Sequence, residues 1–328
     1  MRDYVFKTYI SSGKEFYIVV DANGRITDKR EIYFPNSLVS LLYMDFPHLD
    51  GWFRGIYALA DRITPADAHD DMKEISEQYD HLAERLAYFE LSRFQWRERI
   101  RQVKRSTGVM TGAALQDKTL AALCGQLLAV QKQLQTLIPR VLDMDISKDS
   151  SLERMVGYYQ TLGAESPDVY RFNSCTTTFE MVDENTFVEV LCPNTIFDII
   201  DFHVRECVRR EIKFRVCKNC NKYFAVTGHA GVEYCDRIIN KKGQTCKEIG
   251  AFRVWEKSRS GDTVFRLYRR EYKRRFAWIK AGRIEPDAFY AWSEKAREKK
   301  AECETGKISV NVKFSPTLPE LRGSEKIP

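Results

Sequence analysis

The stretch "FRVCKNCNKYF" (214–224) places Cys217 and Cys220 two residues apart, between aromatic and basic side chains. Two further cysteines, Cys235 and Cys246, complete the pattern C-x2-C-x14-C-x10-C. A structural zinc ion takes four tetrahedral thiolate or imidazole ligands, and a C-x2-C turn supplies two of them from one tight knuckle. The four cysteines therefore predict a structural Zn²⁺ site.

The flanks of the cysteine pair predict the backbone that presents it. The segment 213–226 reads as strand, knuckle and strand, with Phe214 and Phe224 placed to pack beneath the metal. The letters "EYC" (233–235) read as the end of a further short strand, since aromatic residues favour strands. The third cysteine is therefore expected where a strand ends.

The fourth cysteine is predicted to lie at the start of a helix. Thr245 and Glu248 have the spacing of a capping box, in which each side chain bonds the backbone amide of the other residue. Cys246 would then lie in the first helical turn, where the helix dipole favours a thiolate. A knuckle combined with a cysteine at a helix N-terminus is typical of a treble-clef-like zinc finger.

Other uses of these cysteines stay open. Redox couples and iron–sulfur clusters also use closely spaced cysteines, and the thiols can also be unliganded. A redox-active C-x2-C pair usually opens a helix, whereas strand-like residues flank this one. The ten-residue gap before Cys246 also leaves room for His229 to replace Cys235 or Cys246 as a ligand.

Three segments together resemble a known finger: "IKFRVCKNCNKYF" (212–224), "EYCDR" (233–237) and "TCKEIGAFRVW" (245–255). They are similar to the finger of the CGNR-type zinc-finger proteins, and more closely to an uncharacterised bacterial family that carries such a finger near its C-terminus. The resemblance covers residues from about 186 to 300. It implies zinc ligands at Cys217, Cys220, Cys235 and Cys246. Because Lys-Glu-Ile follows the last cysteine here, the Gly-Asn-Arg of the CGNR group does not carry over.

Positive charge is concentrated around and after the cysteine pair. Residues 213–283 contain 19 Lys and Arg against 6 Asp and Glu, a net charge of +13, whereas the rest of the chain carries −7. A basic segment of this size predicts an anionic partner, of which nucleic acid is the commonest. A solvated basic surface is the other interpretation of the same charge.

The sequence "TVFRLYRREYKRRFAWIKAGR" (263–283) predicts a basic helix with one aromatic face. Phe265, Tyr268, Tyr272 and Phe276 recur at helical spacing and would pack on the finger, which leaves the basic side chains to neutralise phosphates. The candidate nucleic-acid-binding residues are Arg253, Lys257, Arg266, Arg269, Arg270, Lys273 and Arg274. The sequence does not distinguish DNA from RNA.

The N-terminal half shows two other patterns. Residues 4–27 alternate polar and apolar side chains, which predicts a β-hairpin. Apolar residues then recur at heptad spacing in 72–100 and again in 120–141. Two such seams joined by a short loop predict a long antiparallel helical hairpin over 72–142. Its surface is a candidate contact for a protein partner or a homodimer.

These patterns predict an α+β fold in three parts. Residues 1–145 would hold the N-terminal β-hairpin and the helical hairpin. Residues 165–300 would hold a second β-hairpin, a helix, the treble-clef-like zinc finger and the basic C-terminal helices. The tail 301–328 carries Pro316 and Pro319 and is expected to be disordered.

Several classes of protein are disfavoured. No apolar run approaches the roughly 18 to 20 residues of a membrane helix, and the N-terminus lacks the apolar core of a signal peptide. We therefore expect a cytoplasmic protein whose nine cysteines stay reduced. The sequence contains no phosphate-binding glycine loop, G-x-S-x-G elbow or H-E-x-x-H pair, so no catalytic residue is assigned.

The sequence thus favours a zinc-finger protein that binds nucleic acid, in a regulatory or mobile-element-associated role. The alternative is a protein-interaction adaptor whose zinc finger is purely structural. Salt-dependent binding to DNA or RNA distinguishes the two, because phosphate contacts weaken as salt rises.

Overall fold

The computed structural model of the chain describes residues 3–65, 68–258 and 262–305. The chain folds as two compact units. Unit 1 comprises Met1–Cys217 with Lys222–Glu233, and unit 2 comprises Lys218–Asn221 with Tyr234–Pro328.

Unit 1 contains a five-stranded antiparallel sheet in the order β3-β2-β1-β5-β4. The strands are β1 (Tyr4–Ser11), β2 (Lys14–Asp21), β3 (Ile26–Tyr33), β4 (Thr177–Asp183) and β5 (Thr186–Leu191). β1 and β2 form the predicted N-terminal hairpin, whose tight turn uses Ser12 and Gly13 at positive φ angles of 48° and 72°. β5 joins the second hairpin to the first, because Val190 pairs with Tyr9 and Leu191 with Thr8.

This pairing crosses the predicted division of the chain. A boundary between residues 145 and 165 would separate β1 from β5, but the two strands are hydrogen-bonded neighbours. The predicted division therefore does not coincide with the two units. Of the predicted tail, residues 301–304 end the last described helix, and residues from 306 onward lie outside the described part of the chain.

Eight α-helices are described in unit 1. They are α1 (Asn36–Leu41), α2 (Phe46–Asp61), α3 (Ala68–Arg85), α4 (Glu90–Ser106), α5 (Gly112–Leu115), α6 (Leu120–Val141), α7 (Ser151–Leu162) and α8 (Ile196–Arg209). A 3₁₀ turn at Ala87–Phe89 separates α3 from α4.

The prediction of a long helical hairpin over 72–142 is wrong about which helices pack on each other. Its first arm is two helices, because the chain bends at Leu86, whose extended backbone (φ −146°, ψ 117°) precedes the 3₁₀ turn. α3 and α4 pack on each other, while α6 packs mainly on α2 and α7. The seam residues, such as Leu82 and Leu134, are buried in the core of unit 1.

A buried polar group lies within that core. Glu15 and His203 are both fully buried, with 3.0 Å between the carboxylate Oε2 and the imidazole Nδ1. Tyr88 Oη lies 3.1 Å from the same imidazole nitrogen. Ser37 donates its backbone amide to the other carboxylate oxygen of Glu15 at 2.8 Å. These bonds link β2, α1, the 3₁₀ turn and α8, so they fix how the sheet and helices of unit 1 meet.

The last strand pair and three helices follow. β6 (Lys213–Val216) and β7 (Tyr223–Val226) form a two-stranded hairpin in unit 1. Unit 2 contains α9 (Cys246–Ser258), α10 (Thr263–Lys280) and α11 (Pro286–Glu304). α10 packs on α11, where Phe289 and Trp292 form a small core against Tyr272. The fold class is α+β, as predicted.

None of the helices in the described ranges is both long enough and apolar enough to cross a membrane.

Candidate metal centre

The β6–β7 hairpin holds the first two cysteines. Val216 pairs with Tyr223, and the amide of Cys217 donates to the carbonyl of Lys222 at 3.0 Å. Asn221 takes a positive φ of 55°, which closes the turn around Cys220. The predicted strand–knuckle–strand arrangement is therefore confirmed, and Phe214 and Phe224 are both buried as expected.

Polar contacts anchor this hairpin within unit 1. Arg215 donates to both carboxylate oxygens of Asp145, at 2.8 and 2.7 Å, and this hydrogen bonding raises the pKa of the guanidinium. Tyr223 Oη donates to Asp143 at 2.8 Å, and burial followed by this bond raises the pKa of the phenol. The backbone of Phe214 bonds residues 142 and 144. These contacts tie the base of the knuckle to residues 142–145.

A closed loop brings the third cysteine to the fourth. The amide of Cys246 donates to the carbonyl of Arg237, and the amide of Lys247 donates to that of Cys235, both at 3.0 Å. Ile238 and Thr245 form an isolated antiparallel bridge nearer the tip of the loop, and the amide of Ile239 donates to the carbonyl of Gln244 at 2.9 Å. The ten-residue gap is therefore a compact loop, and the short strand expected at 233–235 is not found.

The helix start at the fourth cysteine is as predicted. The amide of Glu248 donates to Thr245 Oγ1 at 3.3 Å, and the amide of Thr245 donates to Glu248 Oε2 at 2.7 Å. These two bonds form the capping box, and Cys246 is the first residue of α9. The Sγ of Cys246 therefore lies at the positive end of the helix dipole.

The four cysteines lie together. The sulfur atoms of Cys217, Cys220, Cys235 and Cys246 all lie within 4.8 Å of one another, and only Cys220 is partly exposed. The sulfurs of Cys220 and Cys235 are 3.7 Å apart. A tetrahedral zinc with Zn–S bonds of about 2.3 Å requires S–S separations of about 3.8 Å. The thiols therefore fit a Zn²⁺ ion.

Donors around the sulfurs suit negatively charged ligands. Asn219 Nδ2 donates to the sulfur of Cys246 at 3.2 Å. Arg237 Nη1 lies 3.5 Å from the sulfur of Cys235 and 3.7 Å from that of Cys220. A guanidinium beside two sulfurs stabilises thiolates, which are the form that binds metal. Neither donor is predictable from the sequence, because side-chain donors around a metal site have no fixed spacing.

His229 is not one of the clustered ligands. It is exposed, and its Nδ1 accepts a hydrogen bond from the amide of Gly231 at 2.9 Å. The described part of the chain contains no second group of three or more metal-binding side chains. The structure therefore brings together the four predicted cysteines and leaves the predicted substitute outside.

A basic groove lies beside the knuckle in unit 2. Its volume is about 400 Å³. It is lined on one side by the knuckle residues Lys218, Asn219 and Asn221, and on the other by one turn of α9 with Arg253, Val254, Glu256 and Lys257. Two of the predicted nucleic-acid-binding residues, Arg253 and Lys257, thus share one concave surface with Lys218.

The predicted residues of α10 have mixed surroundings. Arg269 forms an ion pair with Glu256 at 2.6 Å, and Arg274 forms one with Glu271. Exposed side chains belong to Arg266, Arg270 and Lys273. The aromatic face of α10 packs on neighbouring helices, with Phe265 against Trp255 of α9 and Tyr272 against Phe289 of α11.

Residues 173–318 match the model of a family described as "Family of unknown function (DUF6076)". The matched region contains all four cysteines and the residues that line both walls of the basic groove. It confirms the expected resemblance to a family of unknown function. No curated protein and no solved structure matches the chain.

Proposed function

We propose that the chain binds one structural Zn²⁺ ion through Cys217, Cys220, Cys235 and Cys246, and that the zinc-held unit binds nucleic acid. The closeness of the four sulfurs supports the zinc site, because all lie within 4.8 Å of one another and one pair is 3.7 Å apart. Four thiolates fill the coordination sphere of zinc and leave no position for water or substrate, so the ion's role is structural rather than catalytic.

The basic groove beside the knuckle is the observation that supports nucleic-acid binding. Lys218, Arg253 and Lys257 line it together, while the acidic Glu256 is paired with Arg269. The metal would fix one wall of the groove, because Lys218 and Asn219 lie between the ligands Cys217 and Cys220 in the sequence. The start of α9 is fixed at Cys246, so the same ion also holds the other wall. A concave surface with three cations, whose one carboxylate is paired with a further arginine, concentrates a polyanion.

Fluorescence anisotropy across a salt series tests this proposal. If about five phosphates are contacted, log K should fall with log salt at a slope near −4.5. This corresponds to a loss of roughly 500-fold in affinity between 50 and 200 mM salt, by the same relation. Replacing Arg253 and Lys257 together by Ala should reduce the steepness of the slope by about 1.8.

The matched control removes two exposed cations from unit 1. Arg54 and Lys73 are 80% and 70% exposed, and their joint replacement by Ala should leave the slope unchanged. An equal change in both double variants would show that overall charge, and not the groove, determines binding.

The adaptor remains the second candidate, and the ion pairs of α10 favour it. Arg269 of α10 is paired with Glu256 of α9, and Arg274 with Glu271 of its own helix, so both have carboxylate partners within the chain and are less available to phosphates. An adaptor would show no appreciable affinity for DNA or RNA even at low salt. That result would contradict the nucleic-acid proposal while leaving the zinc site intact.

A further inference from the structure

The second hairpin of unit 1 exposes an apolar patch. Phe179 and Met181 of β4 and Phe187 of β5 are 67%, 66% and 65% exposed. Phe179 and Met181 alternate along β4, and Met181 pairs with Phe187, so the three side chains lie on one face of the hairpin. The rings of Phe179 and Phe187 stack, with centroids 6.0 Å apart and 23° between the ring planes. Contiguous large apolar side chains at this exposure indicate a surface that another protein covers.

The patch lies along one edge of the five-stranded sheet. β4 is the last strand in the sheet order, and within the described ranges no strand pairs with its outer side. An edge strand presents backbone amides and carbonyls that can pair with a further strand. Proteins commonly block such pairing with lysine or proline, and β4 (TTFEMVD) contains neither. The backbone and the side chains of this edge therefore both suit an added strand.

The opposite edge of the same sheet is protected. Its edge strand, β3, carries four consecutive charged residues at 28–31, and its exposed apolar residues Ile26 and Tyr33 lie at its two ends. β4 carries only Glu180 and Asp183, and Glu180 lies on the face opposite the patch, where it is paired with Lys7. The contrast between the two edges indicates that β4 is the one open to a partner.

A second copy of the chain supplies a strand that fits this edge. In antiparallel pairing centred on Phe179, this ring meets its own copy and Thr178 lies opposite Glu180 of the second copy. Centring one residue later would place the two Glu180 carboxylates directly opposite each other, which is destabilising. Centring on Met181 would place Asp183 against Phe179. The register centred on Phe179 therefore joins the two apolar patches without opposing like charges.

We propose that the chain forms a symmetric dimer in which β4 pairs antiparallel with β4 of a second copy, with Phe179 on the two-fold axis. Such an interface uses one surface patch twice, so a single exposed edge is sufficient to close the assembly. The backbone bonds extend the sheet across the axis, and the apolar side chains on one face cover each other. This inference does not rest on the proposed function, and a dimer that binds no nucleic acid would leave it standing.

Sedimentation equilibrium of the full, zinc-loaded chain over a concentration series tests the proposal. The wild-type chain should dimerise, and Phe179→Lys should weaken dimerisation by about 30-fold or more, because it places two like charges on the axis. Met181→Lys should also weaken it, and it tests the same patch if Phe179→Lys disturbs the stack on Phe187. Circular dichroism and zinc content should match the wild type in both variants, since both side chains are exposed in the monomer.

Two further measurements test the choice of edge and the register. Tyr33→Lys is the matched control, because this tyrosine is 69% exposed on the opposite edge strand, and it should leave dimerisation unchanged. Phe179→Lys and Phe179→Glu should each dimerise poorly alone. Mixed in equal amounts, the two variants should associate more tightly than either does alone, because opposite charges then meet on the axis.

Four results would overturn the inference. The first is a monomer at every concentration, and the second is a dimer that both lysine substitutions on β4 leave intact. The third is an equal loss of dimer in Tyr33→Lys and Phe179→Lys, since the effect would then not be specific to β4. The fourth is a mixture of the two Phe179 variants that associates no more tightly than either alone, because Phe179 would then not lie on the axis.

Discussion

The two units are held together by different means. Unit 1 has a large continuous apolar core that reaches from the N-terminal sheet through α2, α3, α6 and α8 to Phe214, and a smaller separate cluster on the sheet. In the described part of unit 2, the buried apolar residues form only small clusters, such as Phe289, Trp292 and Ala296. Small cores need additional constraints, such as a metal, to fold stably. We infer that unit 2 depends on zinc and that unit 1 does not.

Removing the metal should produce the largest difference between the units. Zinc binding in finger peptides contributes apparent free energies of about 10–16 kcal/mol, so a chelator should unfold unit 2. Hydrogen exchange should show lost protection in 234–258 and retained protection in α2, α6 and α8. Cys246→Ser should have the same effect, while Cys192→Ser, an exposed cysteine outside the cluster, should have none. Unfolding of both units in one cooperative transition would contradict the inference that only unit 2 depends on zinc.

A core substitution should produce the reverse pattern. Leu134 is fully buried in α6, so Leu134→Ala should lower the free energy of unfolding of unit 1 by about 2–5 kcal/mol. Zinc content and protection in α9 should not change. Leu152→Ala is the matched control, because Leu152 is 64% exposed and its truncation should cost less than about 0.5 kcal/mol. Denaturant titration with zinc analysis checks both variants.

Two equivalent capping boxes allow a smaller test. Ser150→Ala removes the cap of α7 in unit 1 and should lower the stability of that unit by about 1 kcal/mol. Thr245→Ala removes the cap of α9, and since Cys246 begins that helix, the same loss should weaken zinc affinity by about fivefold. Competition with a zinc chelator measures the affinity. An unchanged affinity would show that the metal fixes the helix start without the cap.

The smallest expected effect is a pH dependence confined to unit 1. Burial raises the pKa of Asp117, but hydrogen bonds from Thr119 and the pairing with Arg99 outweigh it and lower the pKa below its usual 3.8. The ionised form therefore stabilises the folded unit above the unfolded pKa, and this contribution is lost as pH falls through the folded value. Asp117→Asn should flatten the dependence of unit 1 stability on pH below about 4. A variant with the wild-type profile would show that other carboxylates determine it.

The candidate site was more predictable than the fold around it. Cysteine spacing and the Thr245–Glu248 pattern are local signals, so they predicted the knuckle and the start of α9 correctly. The pairing of β1 with β5 joins residues about 180 positions apart in the chain, and neither strand alone indicates its neighbour.

The helical seams show a second limit of sequence patterns. Heptad spacing predicted the buried faces of α3, α4 and α6 correctly, because those faces are apolar whatever covers them. It did not predict which helices they meet, and a single bend at Leu86 changed the partners. The buried Glu15–His203 pair was also missed, since a lone polar residue within an apolar pattern has no recognisable spacing.

Zinc X-ray absorption fine structure on the purified chain tests the central claim most directly, because it counts the metal's ligands and their distances. The account predicts four sulfur neighbours at about 2.3 Å and one zinc per chain. Cys246→Ser should lose that signal, and Cys192→Ser should keep it. A purified chain without zinc, or a zinc with nitrogen or oxygen among its four neighbours, would contradict the assignment of Cys217, Cys220, Cys235 and Cys246 as the ligands.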